Sequence, residues 1–376
     1  MENRIHSYIH EHSFEYPTLV LALDNLESNY KSFTNNFTNC NVHYAVKANP
    51  HPSILRRLHE YGGKFDAASA GEIELCLNAG ANPSEISFGN TVKRVADIKY
   101  AYEKGVRLFA VDSYEEIEKV AQYAPGSKVF IRVIIHQTEA DWPLSRKFGC
   151  FEEMVTLLAH HAYDNGLDTV GLSFHIGSQT KHPHMWFNTL DYISNIWEEC
   201  YREGFKLSLL NIGGGFPSFY GVDITPANDY NTILNMMIQK KFKGVEYLMV
   251  EPGRGMVANL GCIAAEVLLV SHKSLIDRTK WAYLNIGRFS GLAETELEAI
   301  KYQFIVIGKE NDEKIPYVVA GPTCDSADVL YEKHKVLLPN TLKSGDKVII
   351  NNTGAYTSTY SSVAFNGFPP LRVVEI

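Results

Sequence analysis

The sequence predicts an α/β fold: a (β/α)8 TIM barrel over residues 23–257, joined to a second, mainly antiparallel β-barrel or sandwich domain built from 1–22 and 258–376. Three observations predict it. Eight short apolar runs alternate with longer helical patterns across about 210 residues, the count such a barrel requires. Polar residues recur at the C-terminal ends of those runs. After Arg254 helical stretches become rare, and strand-like runs broken by Gly, Pro and Asn take over.

The barrel strands are expected at 42–47, 64–68, 86–89, 107–111, 128–134, 170–175, 209–212 and 247–251. Between them, segments such as 70–79 and 114–123 carry the Glu, Leu and Ala content and the 3.6-residue spacing of amphipathic helices. An open doubly wound sheet is the alternative, but it usually offers a GxGxxG turn near its start, and this chain has none. Strands of the second domain are expected at 263–270, 281–286, 303–307, 317–320 and 347–351, with Thr18–Ala22 as a possible addition.

Composition narrows the function. With 376 residues, 45% hydrophobic and 21% charged content and a net charge of −8, the chain reads as a two-domain globular protein rather than a nucleic-acid binder, which would carry a basic patch. No apolar run approaches the roughly 20 residues that span a bilayer, and Met1–His6 has no signal-peptide core, so no membrane association and a cytoplasmic location are expected. Six scattered cysteines, without a CxxC pair or metal-like clustering, read as reduced thiols, and no metal is expected.

The chemistry is sought at the strand ends, because a barrel of this kind places its active site there. Those ends supply Lys47, Asp66, Asn90, Arg132, His175, Gly213-Gly214-Gly215 and Glu251. Lys47 closes the run Asn41-Val42-His43-Tyr44-Ala45-Val46. A lysine there either snorkels out of the strand end or is buried, which lowers its pKa and readies a neutral amine to attack a carbonyl. The glycine loop before Phe216-Pro217 lets backbone N–H groups approach an anion, and barrels often bind phosphate after strands seven and eight. Glu251-Pro252-Gly253-Arg254 adds an arginine beside that loop and an acid that can pair with the ring nitrogen of a cofactor.

These motifs in this order resemble the fold-type III pyridoxal-phosphate amino-acid decarboxylases of the ornithine/lysine decarboxylase family, with the alanine racemase/ornithine decarboxylase-like fold. The resemblance runs over nearly the whole chain and rests on Tyr44–Asn49, Phe65–Ser69, Ser173–Ser178, Gly213–Pro217, Glu251–Arg254, Gly321–Asp328 and Gly354–Thr357. Asp141–Gly149 resembles the compact bacterial members, although some relatives carry arginine where this chain has Pro143.

The resemblance implies a role for each matching residue. Lys47 is the Schiff-base lysine of pyridoxal 5'-phosphate, and His175 stacks on its ring. Asp66 and Glu72 form an acidic pair at the site's edge. Gly213, Gly214, Gly215, Ser178 and Arg254 match phosphate ligands, Gly253 belongs to the cofactor site, Tyr356 adds a phosphate ligand from the second domain, and Glu251 pairs with the ring nitrogen. Cys324 and Asp325 reach a partner subunit's site, the thiol to protonate the carbanion and the carboxylate to hold the distal amine; Asp328 and Glu294 are further substrate-binding candidates. A head-to-tail homodimer with shared sites follows.

The implied reaction is decarboxylation of a small-molecule basic diamino acid, foremost L-ornithine to putrescine in polyamine biosynthesis. Alternatives are a lysine/ornithine dual enzyme, a decarboxylase of a carboxylated polyamine or siderophore precursor, and a non-catalytic regulator. Glu251 argues against an alanine-racemase-like enzyme, which pairs the ring nitrogen with arginine. The final 120 or so residues exclude the barrel-only carrier proteins.

Overall fold

The computed structural model describes residues 2–135, 147–242 and 244–376. The chain divides into two units, one of residues 26–217 and 223–256, the other of 1–25, 218–222 and 257–376. After an opening strand β1 (Thr18–Leu21), eight parallel strands close a barrel: β2 (Cys40–Ala45), β3 (Lys64–Ala67), β4 (Ile86–Phe88), β5 (Leu108–Val111), β6 (Lys128–Arg132), β7 (Asp168–Ser173), β8 (Leu209–Asn211) and β9 (Tyr247–Val250). Closure runs through β9 and β2, where Cys40 faces Leu248 and Val42 faces Val250. The strands are buried over most of their length, above all at their carboxyl halves, because helices cover the outer face and side chains fill the interior. Ala110, Phe130 and Leu209 fill part of that interior, with Leu108, Val170 and Tyr247 packed against them.

Helix starts follow local chemistry. The helices Ala70–Asn78 and Tyr114–Tyr123 occupy the expected segments, and each opens with a serine cap: Ser69 accepts the N–H of Glu72, and Ser113 that of Glu116. An acid in each first turn suits the positive end of the helix dipole.

The other unit is an eight-stranded, mainly antiparallel sheet. Its axis is the 12-residue β10 (Gly261–His272), followed by β11 (Lys280–Leu284), β12 (Phe304–Val306), β13 (Lys314–Ala320), β14 (Val329–Pro339), β15 (Lys347–Ile350) and β16 (Arg372–Glu375). The first half of β10 pairs with β1 and β15, and its second half with β11. Thr18–Leu21 therefore does join this sheet, and β16 lies parallel beside it.

Three elements go beyond the sequence reading. The helix Glu2–Glu11 buries Ile5 and Ile9, one turn apart, against Val20, Cys262 and Ile349. In β14, the charged run Glu332-Lys333-His334-Lys335 hides the strand's alternation. β16 is a four-residue strand whose signal is too short to stand out.

Candidate active site

Inward-facing residues at the carboxyl ends of the barrel strands bring Asp66, Arg132, His175, Asn211 and Glu251 into one electrostatic neighbourhood. Lys47 lies one turn past β2. The strand stops at Ala45, whose N–H donates to the Pro252 carbonyl at 3.3 Å, and Val46–Ala48 form a single 3-10 turn. Tyr44 Oη donates to the Asn49 carbonyl at 2.9 Å and fixes the exit. In this turn Val46 and Ala48 are buried and Lys47 is exposed, so the lysine reaches out of the strand end. Its positive charge acts on Asp66, Glu72 and His175.

Asp66 is buried, and its Oδ1 has no hydrogen-bond partner among the described residues. Burial, and then the charge of Glu251, hold its carboxyl well above the usual carboxylate range, against the pull of Lys47 and Arg132. Room for it comes from Gly89, where a Cβ would stand 1.9 Å from Asp66 Oδ1. Glu72 is fixed by its helix start: its Oε2 accepts the Ala68 N–H at 2.7 Å, and burial raises its pKa.

His175 Nδ1 accepts the Gly177 N–H at 2.9 Å, so the proton of the neutral ring sits on Nε2. Burial, with the nearby charges of Arg132 and Lys47, pushes its pKa well below the ordinary value and keeps the ring neutral.

The glycine loop is closed to side chains. Gly213 and Gly215 take left-handed φ values of +68° and +100°, and a Cβ on Gly214 would come within 2.7 Å of the Glu251 carbonyl and 3.1 Å of His175 Nε2. Beside it, the buried Arg254 donates from Nε and Nη2 to Ser178 Oγ, at 3.2 and 3.1 Å. Gly253 is buried next to it.

Two residues given no role in the sequence reading belong to this site. Arg132 is half-buried within electrostatic reach of Glu251, Asp66 and Asp112, and its guanidinium stands 5.1 Å from the Phe148 ring centre. Asn211 donates from Nδ2 to Glu251 Oε1 at 2.5 Å and accepts the Gly213 N–H on Oδ1 at 2.8 Å. Their signal was a lone polar residue ending an apolar run, Val-Phe-Ile-Arg and Leu-Leu-Asn.

A buried carboxyl oxygen without a partner, a glycine cradle closed to any Cβ, and a buried guanidinium beside a serine fit a group with an anionic end and a basic ring nitrogen. Pyridoxal phosphate is such a group. Among the described residues no cluster of three His, Cys, Asp or Glu side chains is placed to hold a metal.

The remaining candidates lie in the β unit. Cys324 and Asp325 are exposed; the Cys324 N–H donates to Asn366 Oδ1 at 2.9 Å, and Asp325 Oδ1 accepts the Ala327 N–H at 2.8 Å. Tyr356 is half-buried with φ +55°. Glu294 is buried in the turn Ala293–Glu298. Asp328, the other substrate-binding candidate, lies at the end of the loop of Cys324 and Asp325. It is 2% exposed, and it accepts the Arg288 N–H on Oδ1 at 2.7 Å and, on Oδ2, the Thr323 N–H at 3.1 Å and Thr323 Oγ1 at 2.8 Å. Both oxygens are committed, so Asp328 shapes the loop that carries Cys324 and Asp325. Pro143, with the rest of 136–146, lies outside the described residues.

Residues 23–258 match the family model described as "Pyridoxal-dependent decarboxylase, pyridoxal binding domain". The chain is 33% identical to the lysine/ornithine decarboxylase of Selenomonas ruminantium, over 94% of this chain and 87% of that one. Among solved structures, lysine/ornithine decarboxylase from Vibrio vulnificus complexed with cadaverine matches with a TM-score of 0.86 and 31% identity, covering 100% of this chain and 98% of that chain. The arginine decarboxylase of Paramecium bursaria Chlorella virus, bound to agmatine, matches with a TM-score of 0.86 and 27% identity over 99% and 100% of the two chains.

Proposed function

This chain belongs to the pyridoxal-dependent decarboxylases of the ornithine/lysine family, and from that premise we propose that it converts L-ornithine to putrescine. Its cofactor is pyridoxal 5'-phosphate, and it is a carboxy-lyase acting on a basic amino acid. The observation that carries the reading is the ring of titratable groups at the strand ends, with Lys47, Asp66, Arg132, His175 and Glu251 within each other's influence.

When bound, the cofactor supplies a protonated ring that takes up the electron pair left as the α-carboxylate departs. Lys47 would supply the amine that holds the cofactor aldehyde. Glu251, whose Oε1 accepts from Asn211 Nδ2, would hold the proton on the ring nitrogen. His175, neutral and with its Nδ1 tied to Gly177, gives the ring a flat face without competing charge. Gly213, Gly214, Gly215, Ser178 and Arg254 would hold the phosphate, with Gly253 beside them and Tyr356 as a further phosphate ligand. Cys324 returns a proton from its thiol to the α-carbon, and Asp325 pairs with the distal ammonium. We assign these last two to a second subunit, in a cytoplasmic homodimer with shared sites.

Ornithine is favoured by Asp325, an exposed acid held by a backbone N–H in its own turn; a single carboxylate suits a single distal ammonium. Lysine is the second reading, favoured by the relative that carries both substrates in its name. One methylene is worth about 1–3 kcal/mol in such a pocket, so a preference rather than exclusion is expected.

The test is CO2 release by the holoenzyme across L-ornithine, L-lysine, L-arginine, meso-diaminopimelate and the D-isomers. Ornithine should give the highest kcat/KM. A larger value for lysine or arginine would replace the pocket assignment and keep the chemistry. Silence from all of them, with cofactor bound, would point to a larger carboxylated amine or to a regulator.

A further inference from the structure

Asn211, Gly213 and Glu251 form a closed ring of hydrogen bonds. The Gly213 N–H donates to Asn211 Oδ1 at 2.8 Å, the Glu251 N–H donates to the Gly213 carbonyl at 2.8 Å, and Asn211 Nδ2 donates to Glu251 Oε1 at 2.5 Å. The backbone sets the direction of all three. A backbone N–H can only donate, so the Asn211 oxygen must face Gly213 and its NH2 must face Glu251. The Glu251 oxygen there must therefore accept, which an ionised carboxylate does best. Asn211 is 1% exposed, in the last position of β8, so no water competes for either end.

We propose that Asn211 is a positioning residue that fastens the phosphate loop and the ring-nitrogen acid into one rigid unit, fixing the orientation of Glu251. The inference rests on the proposed pairing of Glu251 with the ring nitrogen. It gives one uncharged side chain control over both the grip on the cofactor and its protonation. An aspartate of the same shape would still accept from Gly213 but would set a second carboxylate against Glu251. Other titratable groups facing Glu251 are Asp66 from β3 and Arg132 from β6, and both stay in place in that variant.

The experiment compares Asn211→Asp, Asn211→Ala and Glu251→Gln by pH titration of the bound-cofactor absorbance and by cofactor affinity of the apoenzyme. In Asn211→Asp the added negative charge stabilises the protonated ring, so the titration should move up by about one pH unit or more, with affinity within about 3-fold. Glu251→Gln removes the anion and should move the titration down. Asn211→Ala loses both bonds and should weaken cofactor binding about 10-fold or more. A merely structural asparagine would change stability without moving the titration. An unmoved titration in Asn211→Asp, with Glu251→Gln shifted, overturns the positioning role alone. An unmoved titration in Glu251→Gln overturns the ring-nitrogen pairing, and the inference falls with it. Should Asn211→Asp fail to fold, cofactor affinity in Asn211→Ala within about 3-fold of wild type overturns it instead.

Discussion

The barrel carries a polar cluster at each end of its strands, and the two are built to opposite rules. At the amino ends, Lys64 Nζ donates to Asn41 Oδ1 and Tyr247 Oη, both at 2.8 Å; Tyr247 Oη lies 2.9 Å from His43 Nε2; and His43 Nδ1 lies 3.2 Å from Ser87 Oγ. Ser87 in turn donates to the Phe65 carbonyl. His43 is buried and neutral, its pKa pushed down to about 3 by burial and by the Lys64 charge. At the carboxyl ends the cations Lys47 and Arg132 stand near two carboxyl groups, and Asp66 keeps an oxygen without a partner among the described residues. A satisfied network stabilises a barrel and does nothing else. Leftover hydrogen-bonding capacity and uncancelled charge are what a ligand can use.

The largest separation between the two ends should come from Lys47→Ala. CO2 release should fall below detection and the absorbance of lysine-bound cofactor should vanish, with little change in melting temperature. Mixing this variant with Cys324→Ala subunits should restore part of the activity, since one hybrid site keeps both groups. No recovery, despite proven subunit exchange, would rule out shared sites.

The next effect is one of sign. Asp66 has a folded pKa raised above its unfolded value near 3.8, so its contribution to stability is present below that value and lost as pH rises. His43 has a folded pKa lowered from 6.5 to about 3, so its contribution is present above 6.5 and lost as pH falls through that window. Denaturant melts at several pH values should show Asp66→Asn flattening the rise-of-pH limb, with activity reduced. His43→Leu should flatten the acid limb, an effect on the order of 5 kcal/mol over the whole window. Identical pH profiles for the two variants would erase the distinction between the ends.

The smallest effect is expected for Tyr247→Phe. It removes one hydroxyl from between Lys64 and His43 and should cost about 1–2 kcal/mol of stability, leaving kcat/KM unchanged. A loss of turnover without a loss of stability would make the amino-end cluster functional after all.

Much of this was legible beforehand. The barrel strands lie close to the expected runs because a parallel strand buried on both faces leaves an unbroken apolar signature. Lys47, His175, the glycine loop and Glu251 stood out as polar residues closing such runs. The helix Glu2–Glu11 and β14 did not, since their burial depends on strands that arrive from hundreds of residues away or is masked by surface charge. Asp328 looked like one more acid in an acidic loop; only folding shows its oxygens taken by Arg288 and Thr323. Asn211 gave the opposite error, a quiet residue that holds two others.

By itself, then, the sequence determined the barrel, the extra β unit, and which residue types close each strand, because periodicity and side-chain chemistry are properties of a short stretch of chain. The tertiary structure decided that Asp66 resists ionisation, that His175 and His43 stay neutral, and that Asn211 faces Glu251 with its NH2. Charge state and hydrogen-bond direction depend on distances of a few ångströms between groups from different strands, and those distances exist only once the barrel has closed.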